Sequence, residues 1–218
     1  MALTPRDARS ADGGDGAATR PSARERWNGR YESGAFEAFP DAPAEWLVEH
    51  HALLGELAGA GGAPRALDVA CGDGRNARYL AQLGFEVDAV DVSDVAIAAL
   101  RSAAADRGLP VDARVVDLER EAPAQDAYAV VVCMNYLQRD LFAALAGALR
   151  PRGLLLYETL SPAHVEELGR DFNPAYVLDR NELLRAFADL RVRHYREGPA
   201  ERRGGPRGVA SIVAQRPA

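Results

Sequence analysis

One stretch limits the fold more than any other: Leu67-Asp68-Val69-Ala70-Cys71-Gly72-Asp73-Gly74-Arg75-Asn76-Ala77. A short, mainly apolar run leads into two glycines one residue apart. A helical pattern follows over residues 74–83, with Gly84 behind it as a stop. Glycine at both places permits a tight turn and lets the backbone come close to a ligand. The start of the helix then offers unpaired N–H groups to that ligand. Ala77 keeps a third position small where the helix must lie against the strand. A strand–turn–helix unit of this kind belongs to a parallel sheet covered by helices.

The rest of the chain alternates in the same way. Strands are expected at residues 65–70, 86–91, 111–116, 127–134, 153–158, 190–196 and 208–214. The run at 127–134 is continuously apolar, as for a strand buried on both faces. Helices are expected from the Ser93 cap to about Arg107, over 138–149, and from an Asp179 cap to about Phe187. Only a Gly/Arg-rich loop joins the last two strands, so they must run antiparallel. The expected fold is therefore a doubly wound, Rossmann-like α/β sheet of seven strands, mostly parallel, with an antiparallel C-terminal hairpin. Residues 1–22 are rich in Gly, Ala, Asp and Arg without apolar periodicity and read as a disordered tail. Residues 23–60 read as an N-terminal helical lid, with helical spacing over 44–58 at Trp46, Leu47, Leu53, Leu54 and Leu57. Together 23–218 make one domain.

Composition removes several classes. All 26 basic residues are arginine. Without lysine there is no Walker A phosphate loop, no pyridoxal-phosphate enzyme and no Schiff-base aldolase. That replacement, with so much alanine, is the composition of a GC-rich bacterial genome. The net charge of −6 disfavours a general nucleic-acid binder. His50, His51, His164 and His194 lack metal-ligand spacing, so no metal site is expected. Cys71 and Cys133 read as reduced, buried thiols. No stretch reaches the ~18 apolar residues of a membrane span, and the first 22 residues lack the apolar middle of a signal peptide; a cytoplasmic location is expected.

Two acids define the ligand. Asp91 ends the second strand nineteen residues after Gly72, where a carboxylate accepts hydrogen bonds from both hydroxyls of a ribose. Asp68 lies four residues before Gly72. In a nicotinamide enzyme that strand is usually apolar. An acid there suits a ligand carrying an ammonium group better than one carrying a pyrophosphate.

With these residues in view, Leu67 to Gly74 resembles the first motif of class I S-adenosylmethionine-dependent methyltransferases, and Val90-Asp91-Val92-Ser93 resembles their second. The resemblance implies S-adenosyl-L-methionine as cofactor. It places Asp68, Ala70, Gly72 and Gly74 under the amino-acid part, and Asp91 with Val92 at the ribose. Asp117, with Leu118, is implied beside the adenine, and the fourth-strand exit with Cys133 and Asn135 is implied to line cofactor and acceptor. Arg26-Trp27-Asn28-Gly29-Arg30-Tyr31 is similar to the Trp-x-x-x-Tyr entry of the tellurite-resistance and thiopurine branch. That similarity implies that Trp27 and Tyr31 form a lid over the cofactor. The Asn135-Tyr136-Leu137-Gln138-Arg139 and Tyr157-Glu158-Thr159 segments are similar to that branch as well.

Tyr136, Arg139 and Glu158 follow strand ends, where ligands bind in open α/β sheets, and are the expected catalytic group. Glu158 or Tyr136 would be the base, and Arg139 would steady an anionic acceptor. The implied reaction is methyl transfer by in-line displacement to a small-molecule acceptor: a thiol, a chalcogen oxyanion or an oxygen nucleophile. Two alternatives share the glycine turn, an NAD-dependent oxidoreductase and a non-catalytic cofactor-binding module.

Overall fold

A computed structural model of the chain describes residues 21–34, 42–59 and 61–218. Seven strands form one sheet: β1 (Arg65–Val69), β2 (Glu86–Asp91), β3 (Val111–Val115), β4 (Tyr128–Met134), β5 (Leu149–Leu160), β6 (Arg191–Ala200) and β7 (Arg207–Gln215). Their spatial order is β3-β2-β1-β4-β5-β7-β6. The first five are parallel, and β7 runs antiparallel to both β5 and β6. This is the expected Rossmann-like sheet with its terminal hairpin. Every residue of β4 is buried, as its unbroken apolar run requires of a central strand covered on both faces.

The helices are α1 (Ala23–Glu32), α2 (Glu45–Glu49), α3 (His51–Ala58), α4 (Arg75–Gln82), α5 (Asp94–Ala105), α6 (Phe142–Ala148), α7 (Ala163–Glu166) and α8 (Glu182–Ala186). On one sheet face Ala66, Val130, Val132 and Leu154 pack with Leu54, Leu80, Ile97 and Leu100 from α3, α4 and α5. On the other, Leu67, Val69, Val131 and Tyr157 pack with Phe142, Leu145, Leu183 and Phe187 from α6, α8 and the residue after it. Among the described residues no helix is long and apolar enough to cross a membrane.

Several boundaries depart from the sequence reading. The helix expected over 44–58 breaks at His50 (φ −107°), whose Nδ1 bonds the Trp46 carbonyl at 2.8 Å and so takes the acceptor that a continuing helix would use. The helix expected over 138–149 is a 3₁₀ turn (Arg139–Leu141) followed by α6. β5 then starts at Leu149, because a register shift lets Leu149 pair with Tyr128. Asp179 does not cap α8; Asn181, with φ +56°, precedes it, and the Asp179 amide bonds Glu182 instead. Ser93 does cap α5, accepting from the Ala96 amide. At the N-terminus Ser22 belongs to the fold, forming a reciprocal capping box with Glu25 at the start of α1. The rest of the expected tail, to residue 20, lies outside the described residues, as do Phe36 and Phe39.

Candidate active site

Register brings the strand ends Val69, Asp91, Val115, Met134 and Glu158 to one carboxyl edge. Because β7 is antiparallel, its start at Arg207 and Gly208 arrives at that same edge. The β1 exit is a turn of left-handed residues: Ala70, Gly72 and Gly74 have φ of +52°, +57° and +78°. A Cβ on Gly74 would lie 2.2 Å from Leu100, and one on Gly72 would lie 2.3 Å from the Tyr31 hydroxyl. A side chain at either position would displace Leu100 or Tyr31 and would be strained by the positive φ. Ala70 does carry one, and Asn135, at the exit of neighbouring β4, is also left-handed at φ +58°. Each such residue costs on the order of 1–3 kcal/mol, a strain that collects at ligand sites.

Asp68 lies beneath this turn. It is 1% exposed, and neither carboxylate oxygen has a hydrogen bond. Burial drives its pKa up to about 7; the Ala77 amide, too loosely placed for a hydrogen bond, and the Arg75 guanidinium offset only part of that cost. A buried acid with both oxygens open is satisfied by a cation that brings its own N–H donors. The α-ammonium of S-adenosylmethionine is such a group, and the residues present fit it.

Asp91 is buried, and its oxygens accept from the Gly72 amide at 2.9 Å and the Ser93 amide at 2.8 Å. Burial raises its pKa against those amides. A carboxylate offers about four acceptor positions, so Asp91 locks the glycine turn to the end of β2 and keeps capacity for a ribose. Val92 follows it, and its carbonyl accepts from Arg24 at 3.4 Å.

The lid segment is fastened at this corner. Asn28 donates to Asp94 at 2.7 Å and accepts from the Ser93 hydroxyl at 2.8 Å, while Arg24 lies 3.3 Å from Asp94. These bonds hold α1 so that Tyr31 overhangs Gly72. Burial, with Asp91 next, pushes the Tyr31 phenol well above its usual range and keeps it protonated. Trp27, one turn earlier, is half-buried under the Arg30 guanidinium, 5.1 Å from its ring centroid.

At the β3 exit, Asp117 is half-exposed, accepts from the Glu119 amide and pairs with Arg120 at 3.3 Å. Leu118 is buried, and its carbonyl accepts from Gln138. Cys133 is fully buried; burial raises the pKa of its thiol, and of Cys71's, so both are protonated.

The expected catalytic group requires correction. Glu158 is buried against the fork of Arg202 (3.0 and 2.5 Å) and accepts from the Ser211 hydroxyl at 2.6 Å. Both of its oxygens are engaged by these donors. Tyr136 donates to Gln138 at 2.6 Å, and burial raises its pKa, with Cys133, Glu119, Asp91 and Asp117 adding to the rise. Those neighbours put it on the Asp91 and Asp117 side of the edge, as a protonated phenol. Arg139 forks onto Glu182 at 2.7 and 2.9 Å and donates to the Val177 carbonyl at 3.0 Å, so it clamps the loop before α8 instead of facing an acceptor.

Sequence reasoning missed Asn28, which fastens the lid, Arg202, which neutralises Glu158, and Arg207, which donates to the Asn135 side chain at 3.0 Å. Arg207 and Asn135 are 72 residues apart, and no local pattern links them. The arginines at 202, 203 and 207 and the glycines between them were the visible signal, marking a basic loop and not a site.

Residues 66–153 match the model of a methyltransferase domain. Over 141 residues the chain is 29% identical to a ubiquinone biosynthesis O-methyltransferase of Bordetella avium (strain 197N), covering 62% of this chain and 56% of that one. The chain spans about half the length of the curated relatives it matches. TehB from Haemophilus influenzae has the same fold, with a TM-score of 0.61 at 19% identity over 76% of this chain and 62% of that one. So does a protein studied for the conversion of a disulfide bond into a thioacetal group during echinomycin biosynthesis, with a TM-score of 0.63 at 19% identity over 86% and 91%. The matched segment holds β1 to the start of β5, where Asp68, the glycine turn and Asp91 stand, and over that segment the chain is similar to methyltransferase domains.

Proposed function

We propose that this protein transfers a methyl group from S-adenosylmethionine to a small-molecule acceptor. The observation that carries the reading is Asp68: a fully buried carboxylate with two unpartnered oxygens, under a left-handed turn through Gly72 and Gly74. An NAD enzyme would set a pyrophosphate against that acid, an electrostatic cost that Arg75 only partly offsets. The intact turn and ribose acid also speak against a non-catalytic module.

When bound, the sulfonium supplies an electrophilic methyl that an acceptor lone pair takes in line, leaving a neutral thioether. The chain's own work is placement. Asp68 holds the ammonium, Asp91 the ribose, and Tyr31 covers the turn and excludes water. With Glu158 paired and the Tyr136 phenol protonated, neither serves as base, so an acceptor that ionises on its own is favoured. Thiols and oxyanions meet that condition, and so do acidic phenols. The relatives named for ubiquinone O-methylation support the oxygen class.

Calorimetric titration with S-adenosylhomocysteine, with NAD in parallel, tests the reading. Micromolar binding of the first and none of the second is expected. Binding of NAD alone would replace this function with an oxidoreductase.

A further inference from the structure

The carboxyl edge holds a cluster of arginines beside the corner where Asp68 and the glycine turn stand. Arg207, half-buried at the start of β7, makes one hydrogen bond, to the neutral side chain of Asn135. Arg170, also half-buried, lies in the loop after α7, its Nη2 3.8 Å from where a Cβ on Gly205 would stand. Among the described residues neither forms an ion pair. The carboxylate nearest to hand, Glu158, is already forked by Arg202 and bonded by Ser211. A guanidinium drawn out of water without a counter-charge is unfavourable, and its planar fork matches a carboxylate or an oxyanion.

The surroundings agree. Burial lowers the pKa of Arg207; the nearby Glu158 charge offsets part of that, and Arg75, Arg170 and Arg202 lower it further. His164 is buried beside them; its Nδ1 accepts from the Gly208 amide at 3.3 Å, which leaves the ring proton on Nε2 as a donor. β7 approaches so closely that a Cβ on Gly208 would lie 1.9 Å from the His164 amide nitrogen. Arg75 interacts both with Arg207 and with Asp68, so the cluster adjoins the corner that receives the methyl donor.

We propose that the methyl acceptor carries an anionic group, a carboxylate or an oxyanion, seated on Arg207 and Arg170 with the His164 Nε2–H beside them. This inference rests on the methyltransferase reading and names the acceptor class for the same site. It also agrees with the lack of a free base, since an acceptor held by arginines is stabilised in its ionised form.

The test uses full-length protein saturated with S-adenosylhomocysteine, titrated calorimetrically with 3-mercaptopropionate, with its neutral amide and with selenite. The carboxylate and oxyanion arms distinguish the two anion types. At least one anion is expected to bind about tenfold or more tighter than the amide. Arg207→Gln should weaken that anion by about tenfold while leaving S-adenosylhomocysteine within about twofold. Arg170→Gln, in a loop, should weaken it about threefold or more and remains readable if the Arg207 variant fails to fold. Equal binding of anion and amide, or no saturable anion binding, overturns the proposal. Loss of S-adenosylhomocysteine affinity in Arg207→Gln overturns it too, assigning that arginine to the cofactor carboxylate. If the wild-type protein binds no S-adenosylhomocysteine yet binds an anion through Arg207, the methyltransferase reading falls and the anion seat stands.

Discussion

Replacing Asp68 with Asn separates what this residue does for the ligand from what it costs the fold. Moving a carboxyl from about 4 in the unfolded chain to about 7 in the fold makes its ionised form about 4 kcal/mol less favourable above pH 7. Asn has nearly the same shape and no charge, but leaves a buried amide without partners, at about 1–3 kcal/mol. Ligand-free Asp68→Asn should therefore be more stable than wild type by about 1–3 kcal/mol at pH 8, or about 2–4 °C in Tm per kcal/mol for a chain of this size. The pH dependence follows from the direction of the shift. Between about pH 4 and 7 the folded state keeps a proton that the unfolded state has released, so wild-type stability falls across that window and the variant's advantage appears only toward its upper end. For the ligand the effect is opposite. Losing a charged partner for the ammonium should weaken S-adenosylhomocysteine by about 10–150-fold. Wild-type affinity should rise with pH up to about 7, and the variant's should stay flat. Calorimetry and thermal melts from pH 5 to about 8.5 measure both. A variant that binds as tightly as wild type, or that is less stable at pH 8, would refute the assignment.

Two further substitutions probe the edge. Glu158→Gln leaves the Arg202 side chain, 8% exposed, without its main counter-charge; a loss of about 3–5 kcal/mol in chemical denaturation is expected, and an unchanged midpoint would mean that the pair is not buried as described. Ala70→Gly relieves a left-handed alanine at φ +52°. The relief of about 1–2 kcal/mol exceeds the entropic cost of glycine, so a gain of about 0.5–1 kcal/mol in stability is expected, and a lower Tm would contradict it.

The features legible in the sequence are those whose physics is local. The glycines at 72 and 74 were readable because a strand-to-helix turn demands left-handed residues, and Ser93 because a helix start demands a side-chain acceptor. Asp68 and Asp91 stood out by their distance from those glycines, and the final hairpin by its short connection. Helix ends were less legible: His50 breaks a regular pattern through one side-chain bond that periodicity does not encode. A position at a strand end does not establish that a side chain is free. Whether Glu158 is free depends on Arg202, 44 residues away, and Arg139 on Glu182, 43 residues away.

The sequence by itself determined the fold class, the glycine turn, the two acids beside that turn and the exclusion of lysine chemistry, because periodicity, turn geometry and residue type are properties of short segments. Only the tertiary structure decided which charges are neutralised and which remain open. The antiparallel β7 carries Arg207 back to the edge where β1, β4 and β5 end, and ion pairing there depends on distances in space that no spacing along the chain records.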